Sequence, residues 1–113
     1  MSQSERRVAV ITGAAGGVGQ STVRKFAECG YTVIGTDIRL PEGLFEHDHV
    51  SYQTCDVTSE ADWMSLAEST IGQHGKLDVL VNNAAILMTY TIETSSVEDF
   101  KHMMEVNSTS VFL

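Results

Sequence analysis

The sequence has few cysteines, few basic residues and no long hydrophobic run. Its two cysteines, Cys29 and Cys55, form no Cys-x-x-Cys pair, so the chain lacks the disulfide framework of small secreted proteins. Seven basic residues against fifteen acidic ones give a net charge of −8, which argues against a nucleic-acid or anionic-membrane partner. Neither a signal peptide nor a membrane-spanning stretch is recognisable, and a cytoplasmic protein is expected.

A metal site is not predicted either. The strongest candidate is residues 46–49, Glu-His-Asp-His, because a His-x-His pair can place both rings on one side of a strand. No third ligand recurs at a useful spacing, and the segment is typical of a polar loop. Cys29 and Cys55 are interpreted as small buried hydrophobic residues, since no motif around them supports activation.

Short apolar β-type runs alternate with helical patterns along the chain, which favours βαβ units and a parallel sheet. The predicted strands are Val8–Thr12, Thr32–Asp37, Val50–Cys55 and Leu77–Val81. Right-handed crossovers then leave few arrangements, and we expect a Rossmann-type, doubly wound α/β sheet in the order 3-2-1-4. With 113 residues, the chain is long enough for one domain and too short for two.

Two capping patterns predict where later helices begin. Ser59 is the expected N-cap of one helix, with Asp62 reaching back to it as in a capping box. Ser95 and Glu98 form a second such pattern, and the helix that they open is expected to run to Leu113. The helix after Ser59 is expected to bury a face formed by Trp63, Ala67 and Ile71.

The strongest single signal is the glycine-rich segment 12–19, Thr-Gly-Ala-Ala-Gly-Gly-Val-Gly, which follows a strand and opens a helix. Gly13 permits a tight turn, Gly17 lets a pyrophosphate approach the backbone, and Gly19 lets the helix pack closely on the sheet. The helix N-terminus adds free amides and about half a positive charge. No lysine follows the glycines, which excludes a Walker A loop. The residues expected at the phosphates are Gly13, Gly16, Gly17, Val18 and Gly19.

Asp37 ends the second predicted strand, eighteen residues beyond Gly19, where dinucleotide-binding proteins carry an acidic residue. A carboxylate there accepts hydrogen bonds from both adenosine ribose hydroxyls and repels a 2′-phosphate. Asp37 therefore predicts NAD rather than NADP, and the adjacent Ile38 is expected to bind the cofactor as well. Arg39 leaves the second cofactor open, because a nearby guanidinium can accommodate the additional phosphate.

These features together resemble the classical short-chain dehydrogenase/reductase family. The glycine spacing, Thr12-Gly13-x-x-x-Gly17-x-Gly19, is that family's own, and nearly the whole chain is covered by the ordered set of motifs. Asp56-Val57 follows the third strand, where the family places an acid that bonds the adenine amino group. Asn82-Asn83-Ala84-Ala85 resembles the family's Asn-Asn-Ala-Gly, although alanine replaces the usual glycine at Ala85.

The resemblance implies that Asp56, Val57, Asn83, Ala84 and Ala85 bind the cofactor together with the glycine turn and Asp37. It also implies a catalytic role for Asn107, which in the family holds a water that links the active-site lysine to solvent. A second interpretation of this residue is left open. Phe100, Asn107 and Val111 fall within about 40° of one another on an α-helix, so Asn107 is equally consistent with a buried structural asparagine.

The family's chemistry depends on a serine and a Tyr-x-x-x-Lys motif, and this chain has no such motif. Four residues after its three tyrosines lie Gly35, Asp56 and Thr94. Residues 1–113 are therefore expected to be the dinucleotide-binding half of one Rossmann domain, from a truncated or partial sequence with the later strands absent.

Two functions remain open. One is an NAD(P)-dependent oxidoreductase that transfers hydride between nicotinamide and an alcohol or ketone, a homo-oligomer when complete, with this half inactive alone. The other is a truncated, non-catalytic NAD-binding module. A methyltransferase is disfavoured by the glycine spacing and by residues 82–85.

Overall fold

The computed structural model describes residues 6–85, 96–109 and 111, and these residues form a parallel sheet flanked by helices. The strands are β1 (Val8–Thr12), β2 (Thr32–Asp37), β3 (Val50–Thr54) and β4 (Val79–Val81). They are ordered β3-β2-β1-β4, and the three pairings between neighbours are all parallel. The expected Rossmann-type sheet and its strand order are confirmed.

The helices cover both faces of this sheet. They are α1 (Gly17–Glu28), α2 (Glu60–His74) and α3 (Val97–Met104), and α3 continues into a π-helical segment, Glu105–Thr109. Alternate residues of β1 and β2 point to opposite faces, so the core has two clusters. The cluster under α2 consists of Val8, Val10, Ile34, Cys55 and Leu66. The cluster under α1 consists of Ile11, Ala14, Val23, Ala27 and Val33. Among the described helices, none has the length and apolar character needed to cross a membrane.

The register of the sheet brings the ends of all four strands to one edge. Thr12 pairs with Thr36, Ile11 with Val81, and Asp37 with Thr54. Parallel strands present their carboxyl ends on the same side, where open α/β sheets bind ligands. The segments that follow the strands therefore lie next to one another, although they are far apart in the sequence.

The buried face of α2 differs from the prediction. Leu66 and Thr70 are buried, with Trp63 partly buried, whereas Ala67 is exposed and Ile71 is 51% exposed. The prediction that Trp63 packs towards the core is confirmed, but the predictions that Ala67 and Ile71 are buried are wrong. Spacings of three and four are both allowed from Trp63, and contact with the sheet selects Leu66 and Thr70.

The predicted start of α3 is wrong by one residue. Ser95 lies outside the described residues, and the cap is Ser96, whose Oγ accepts the Asp99 N–H at 3.0 Å. Two serines in succession offered either register, and local pattern alone does not distinguish them. The end of the predicted helix at Leu113 also lies outside the described residues.

In the described part of the chain, β4 lies at the edge of the sheet, and its Leu80 is 43% exposed. One burial expectation is not met. Cys29 is exposed, whereas Cys55 is buried as expected. Cys29 is the C-cap residue of α1, where the chain turns away from the helix and its packed face.

Candidate functional site

A cavity of about 460 Å³ opens at the edge of the sheet where the four strands end. This volume is in the range of sites that bind small molecules and cofactors. All twelve residues that the sequence analysis assigned to cofactor binding line it. The fold therefore brings together the glycine turn, the end of β2, the turn after β3 and the segment after β4.

The glycine turn is fixed by backbone hydrogen bonds to β2. Gly13 has a φ of +64°, which glycine adopts without the strain of a side chain, as predicted. The Ala14 N–H donates to the Thr36 carbonyl at 2.9 Å, and the Gly16 N–H donates back to the Gly13 carbonyl at 3.3 Å. The turn thus bends sharply away from β1 and directs the start of α1 towards the cavity.

The first turn of α1 has neither a side-chain cap nor an acidic residue. In contrast, α2 and α3 are capped by Ser59 and Ser96 and carry acidic residues in their first turns. Free N–H groups and the positive end of the helix dipole therefore face the cavity at Gly17 and Val18. This end of the cavity is suited to an anion even though the protein is strongly acidic.

Asp37 connects the end of β2 to the glycine turn. Its Oδ2 accepts the Ala15 N–H at 3.0 Å, and its Oδ1 accepts the Ile38 N–H at 2.8 Å. Both bonds fix the plane of the carboxylate at the wall of the cavity. An orientated carboxylate retains further lone pairs, which can accept hydroxyl groups of a ligand.

The Thr12 hydroxyl joins the glycine turn to the segment after β4. Its Oγ1 accepts the N–H groups of Asn83 and Ala84, both at 2.9 Å, and donates to the Val81 carbonyl at 3.3 Å. The Asn83 amide in turn donates to the Gly13 carbonyl at 3.2 Å. These bonds hold Ala84 against the turn and link the two walls of the cavity.

Asp56 supplies a second carboxylate to the lining of the cavity. Its Oδ1 accepts both the Thr58 hydroxyl at 2.6 Å and the Thr58 N–H at 2.9 Å. These two bonds lower the pKa of the Asp56 carboxyl, more than burial raises it, and the positive field of His102 lowers it further. Asp56 is therefore ionised at neutral pH and acts as an acceptor.

Four lining residues were not found from the sequence: Cys55, Thr58, His102 and Val106. Thr58 had a local signal, because an Asp-x-Thr sequence favours a side-chain bond of this kind. His102 and Val106 reach the site from α3 and the π-helical segment, and only the tertiary contact of these elements places them there. Burial raises the pKa of the Cys55 thiol to about 11, together with the negative charges of Asp62 and Asp56. Cys55 is therefore an uncharged part of the cavity wall.

A second network behind the site was also missed. The Gln20 amide donates to the Ala14 carbonyl at 2.9 Å and to the Tyr52 hydroxyl at 3.1 Å, and its oxygen accepts the Phe45 N–H at 2.7 Å. Tyr52 donates to the Phe45 carbonyl at 2.7 Å. Gln20 and Tyr52 thus tie the loop between β2 and β3 to the glycine turn.

Asn107 does not line the cavity. It is exposed and lies in the π-helical segment, and Phe100 is 65% exposed. The second interpretation, that Asn107 is a buried structural asparagine, is therefore wrong for the described residues. That interpretation assumed 3.6 residues per turn, and the wider π-helical turn changes the register between Phe100 and Val111. Its catalytic role stays a prediction.

The polar loop at residues 46–49 holds no cluster of three metal-ligating side chains within the described ranges. His47 uses its Nδ1 to accept the His49 N–H at 3.0 Å. This bond shapes the loop, and the two imidazoles pack as a tilted pair with ring centres 5.8 Å apart.

Comparison with known proteins gives consistent matches. The model of the short chain dehydrogenase family matches residues 7–113. The mitochondrial borneol dehydrogenase of Lavandula x intermedia is 37% identical over 113 residues, which cover 96% of this chain and 44% of the relative. The 3-beta-hydroxysteroid dehydrogenase of Comamonas testosteroni is 36% identical over 111 residues, with coverages of 95% and 44%. The chain spans less than half the length of these relatives.

Solved structures agree with the sheet and its helices. The ligand-free aldohexose dehydrogenase of Thermoplasma acidophilum aligns with a TM-score of 0.85 at 28% identity, over 98% of this chain and 42% of that one. The 3-ketoacyl-(acyl-carrier-protein) reductase of Brucella melitensis, complexed with NADH, aligns with a TM-score of 0.83 at 29% identity, over 97% and 48% of the two chains.

Proposed function

Because this chain belongs to the short-chain dehydrogenase family, we propose that residues 1–113 form the cofactor-binding half of an NAD-dependent oxidoreductase. In the whole protein, hydride would pass between the nicotinamide of the cofactor and an alcohol or ketone. The observation that carries the proposal is the uncapped N-terminus of α1 in the same cavity as the Asp37 and Asp56 carboxylates.

The residues present fit an adenine dinucleotide. A Cβ placed on Gly17 meets no atom within 4 Å, so the fold itself does not require glycine there. Glycine at this position instead leaves the amides at the start of α1 open to a diphosphate. Asp37 would accept the adenosine ribose hydroxyls, and Asp56 the adenine amino group. Asn83, Ala84 and Ala85 would lie along the nicotinamide ribose.

NAD is favoured over NADP by the charge beside the ribose position. Asp37 lines the cavity and is fixed by its bonds to Ala15 and Ile38, so a 2′-phosphate would meet a carboxylate. Arg39, the residue that left NADP open, is exposed and does not line the cavity. The NADH complex of the Brucella relative is consistent with this choice.

The chain itself is proposed to bind cofactor without turnover. The Tyr-x-x-x-Lys motif that would exchange the substrate proton is not found in its sequence. Activity, the alcohol or ketone substrate, and assembly into a homo-oligomer are therefore proposed for the complete protein and not for these 113 residues alone. The catalytic role of Asn107 is likewise proposed for the complete protein.

Calorimetric titration with NAD⁺ and NADP⁺ tests this function. The purified chain is expected to bind NAD⁺ at least about tenfold more tightly than NADP⁺, since one unfavourable charge contact exceeds about 1.4 kcal/mol. Asp37→Ala should weaken NAD⁺ binding and remove the preference, and Asp48→Ala, on the polar loop, is the control. Absence of NAD⁺ binding by a folded chain would refute the proposal.

A further inference from the structure

The turn after β3 is hydrogen-bonded to residues at the beginning of α2. Asp62 Oδ2 accepts the Asp56 N–H at 2.9 Å, and the Ser59 N–H donates to the Asp56 carbonyl at 2.9 Å. The Trp63 indole Nε1–H donates to the Val57 carbonyl at 2.8 Å. Three backbone groups of Asp56 and Val57 are thus fixed by one helical turn.

This helical turn is itself anchored to the sheet. Trp63 packs against the buried cluster under α2, which includes Val10 and Leu66. Asp62 departs from the predicted capping box: Ser59 Oγ accepts the Asp62 N–H at 3.2 Å, but the Asp62 carboxylate reaches Asp56 instead of returning to Ser59. A side chain that the pattern assigned to helix capping is therefore used to hold the cavity wall.

The hydrogen bonds from α2 leave two groups of this turn available to a ligand, the Asp56 carboxylate and the Val57 N–H. The Asp56 carboxylate is an acceptor kept ionised by its bonds to Thr58, and the Val57 N–H has no acceptor within the described residues. Both residues line the cavity. An acceptor beside a donor matches the edge of adenine, which carries an amino donor next to a ring-nitrogen acceptor. Hypoxanthine presents the reverse order, a carbonyl acceptor next to an N–H donor.

We infer that Trp63 and Asp62 are positioning residues that set the preference of this site for an adenine base. The inference rests on the proposed function and deepens it. Trp63 and Asp62 bond to the protein backbone and do not line the cavity. Their effect is to hold the acceptor of Asp56 and the donor of Val57 in a fixed position relative to each other.

The test compares the affinities of NAD⁺ and its hypoxanthine analogue by calorimetry. The wild-type protein should prefer NAD⁺ by about tenfold or more, and Trp63→Phe, which removes the indole donor, should reduce the preference to about threefold or less. Asp62→Ala should act in the same direction, and Asp62→Asn, which keeps an acceptor, should restore part of the preference. Met64→Ala is the matched control, because Met64 is adjacent on α2 and 61% exposed.

A second measurement needs no variant. Trp63 is the only tryptophan in the sequence, so the intrinsic tryptophan emission reports on this contact alone. ADP-ribose should change the emission, whereas nicotinamide mononucleotide should not. Circular dichroism shows which variants are folded.

The outcomes separate the two proposals. If the folded wild-type chain binds neither dinucleotide, the proposed function is refuted, and the inference falls with it. If NAD⁺ binds but Trp63→Phe and Asp62→Ala keep the wild-type preference, the inference alone is refuted. An emission unchanged by bound ADP-ribose would also overturn it.

Discussion

Two glycines of the same turn should respond in opposite ways to the addition of one methyl group. Gly17 and Gly19 both lie in the first turn of α1, and both line the cavity. A Cβ on Gly17 meets no atom within 4 Å. A Cβ on Gly19 overlaps the Gly13 carbonyl oxygen and lies 2.8 Å from Ala14 Cα, which are backbone atoms that cannot rotate away. Gly17→Ala and Gly19→Ala therefore separate the requirement of a ligand from that of the fold.

The expected magnitudes follow from these surroundings. Gly17→Ala should leave the free energy of unfolding unchanged or raise it by about 0.5–1 kcal/mol, because alanine restricts the unfolded chain and favours the helix. It should also weaken NAD⁺ binding by about tenfold or more, since the methyl group keeps the diphosphate from charge-assisted bonds to the amides. Gly19→Ala should lower the free energy of unfolding by about 3 kcal/mol or more, because the helix must move off the turn.

Urea denaturation followed by circular dichroism gives the unfolding free energies, and calorimetry with NAD⁺ gives the affinities. Gly16→Ala is a control for the unfolding free energies only, because its Cβ would lie an ordinary 3.7 Å from the Gly13 oxygen. The reasoning would be refuted if Gly17→Ala destabilised the protein as much as Gly19→Ala, or if Gly17→Ala bound NAD⁺ with wild-type affinity.

Three further predictions concern buried groups. Thr12→Val should lower the free energy of unfolding by about 2 kcal/mol in a urea titration, because the Asn83 and Ala84 N–H groups lose their acceptor. Thr32→Val is the control and should leave the free energy of unfolding unchanged, because the buried Thr32 hydroxyl has no partner within the described residues. Equal losses of stability in the two variants would contradict the reasoning. Iodoacetamide at pH 8 should modify the exposed Cys29 and spare the buried Cys55, with mass spectrometry as the readout. The pKa of Cys55 is raised from an ordinary value of 9.0 to about 11, which leaves about a hundredfold less thiolate than in the unfolded chain. Because the folded-state pKa of Cys55 is raised, its contribution to stability is present below pH 9 and is lost as the pH rises towards 11.

The sequence by itself determined the order of the elements and most of the residues that line the cavity. Strand and helix periodicities, glycine spacing and the residues that end each strand are local signals, and parallel pairing brings strand ends together whatever the details of packing. For this reason all twelve predicted cofactor-binding residues line one cavity.

Only the tertiary structure decided which partner each side chain takes. The predicted capping box pairs the Asp62 carboxylate with Ser59 of the same helix. In the structure, the turn after β3 lies against α2, and the carboxylate accepts the Asp56 N–H instead. The buried face of α2, the tie from Gln20 to Phe45, and the entry of His102 into the cavity likewise depend on segments distant in sequence. A pattern of residues records the periodicity of its own element, whereas burial and hydrogen bonding depend on which other element comes to lie against it.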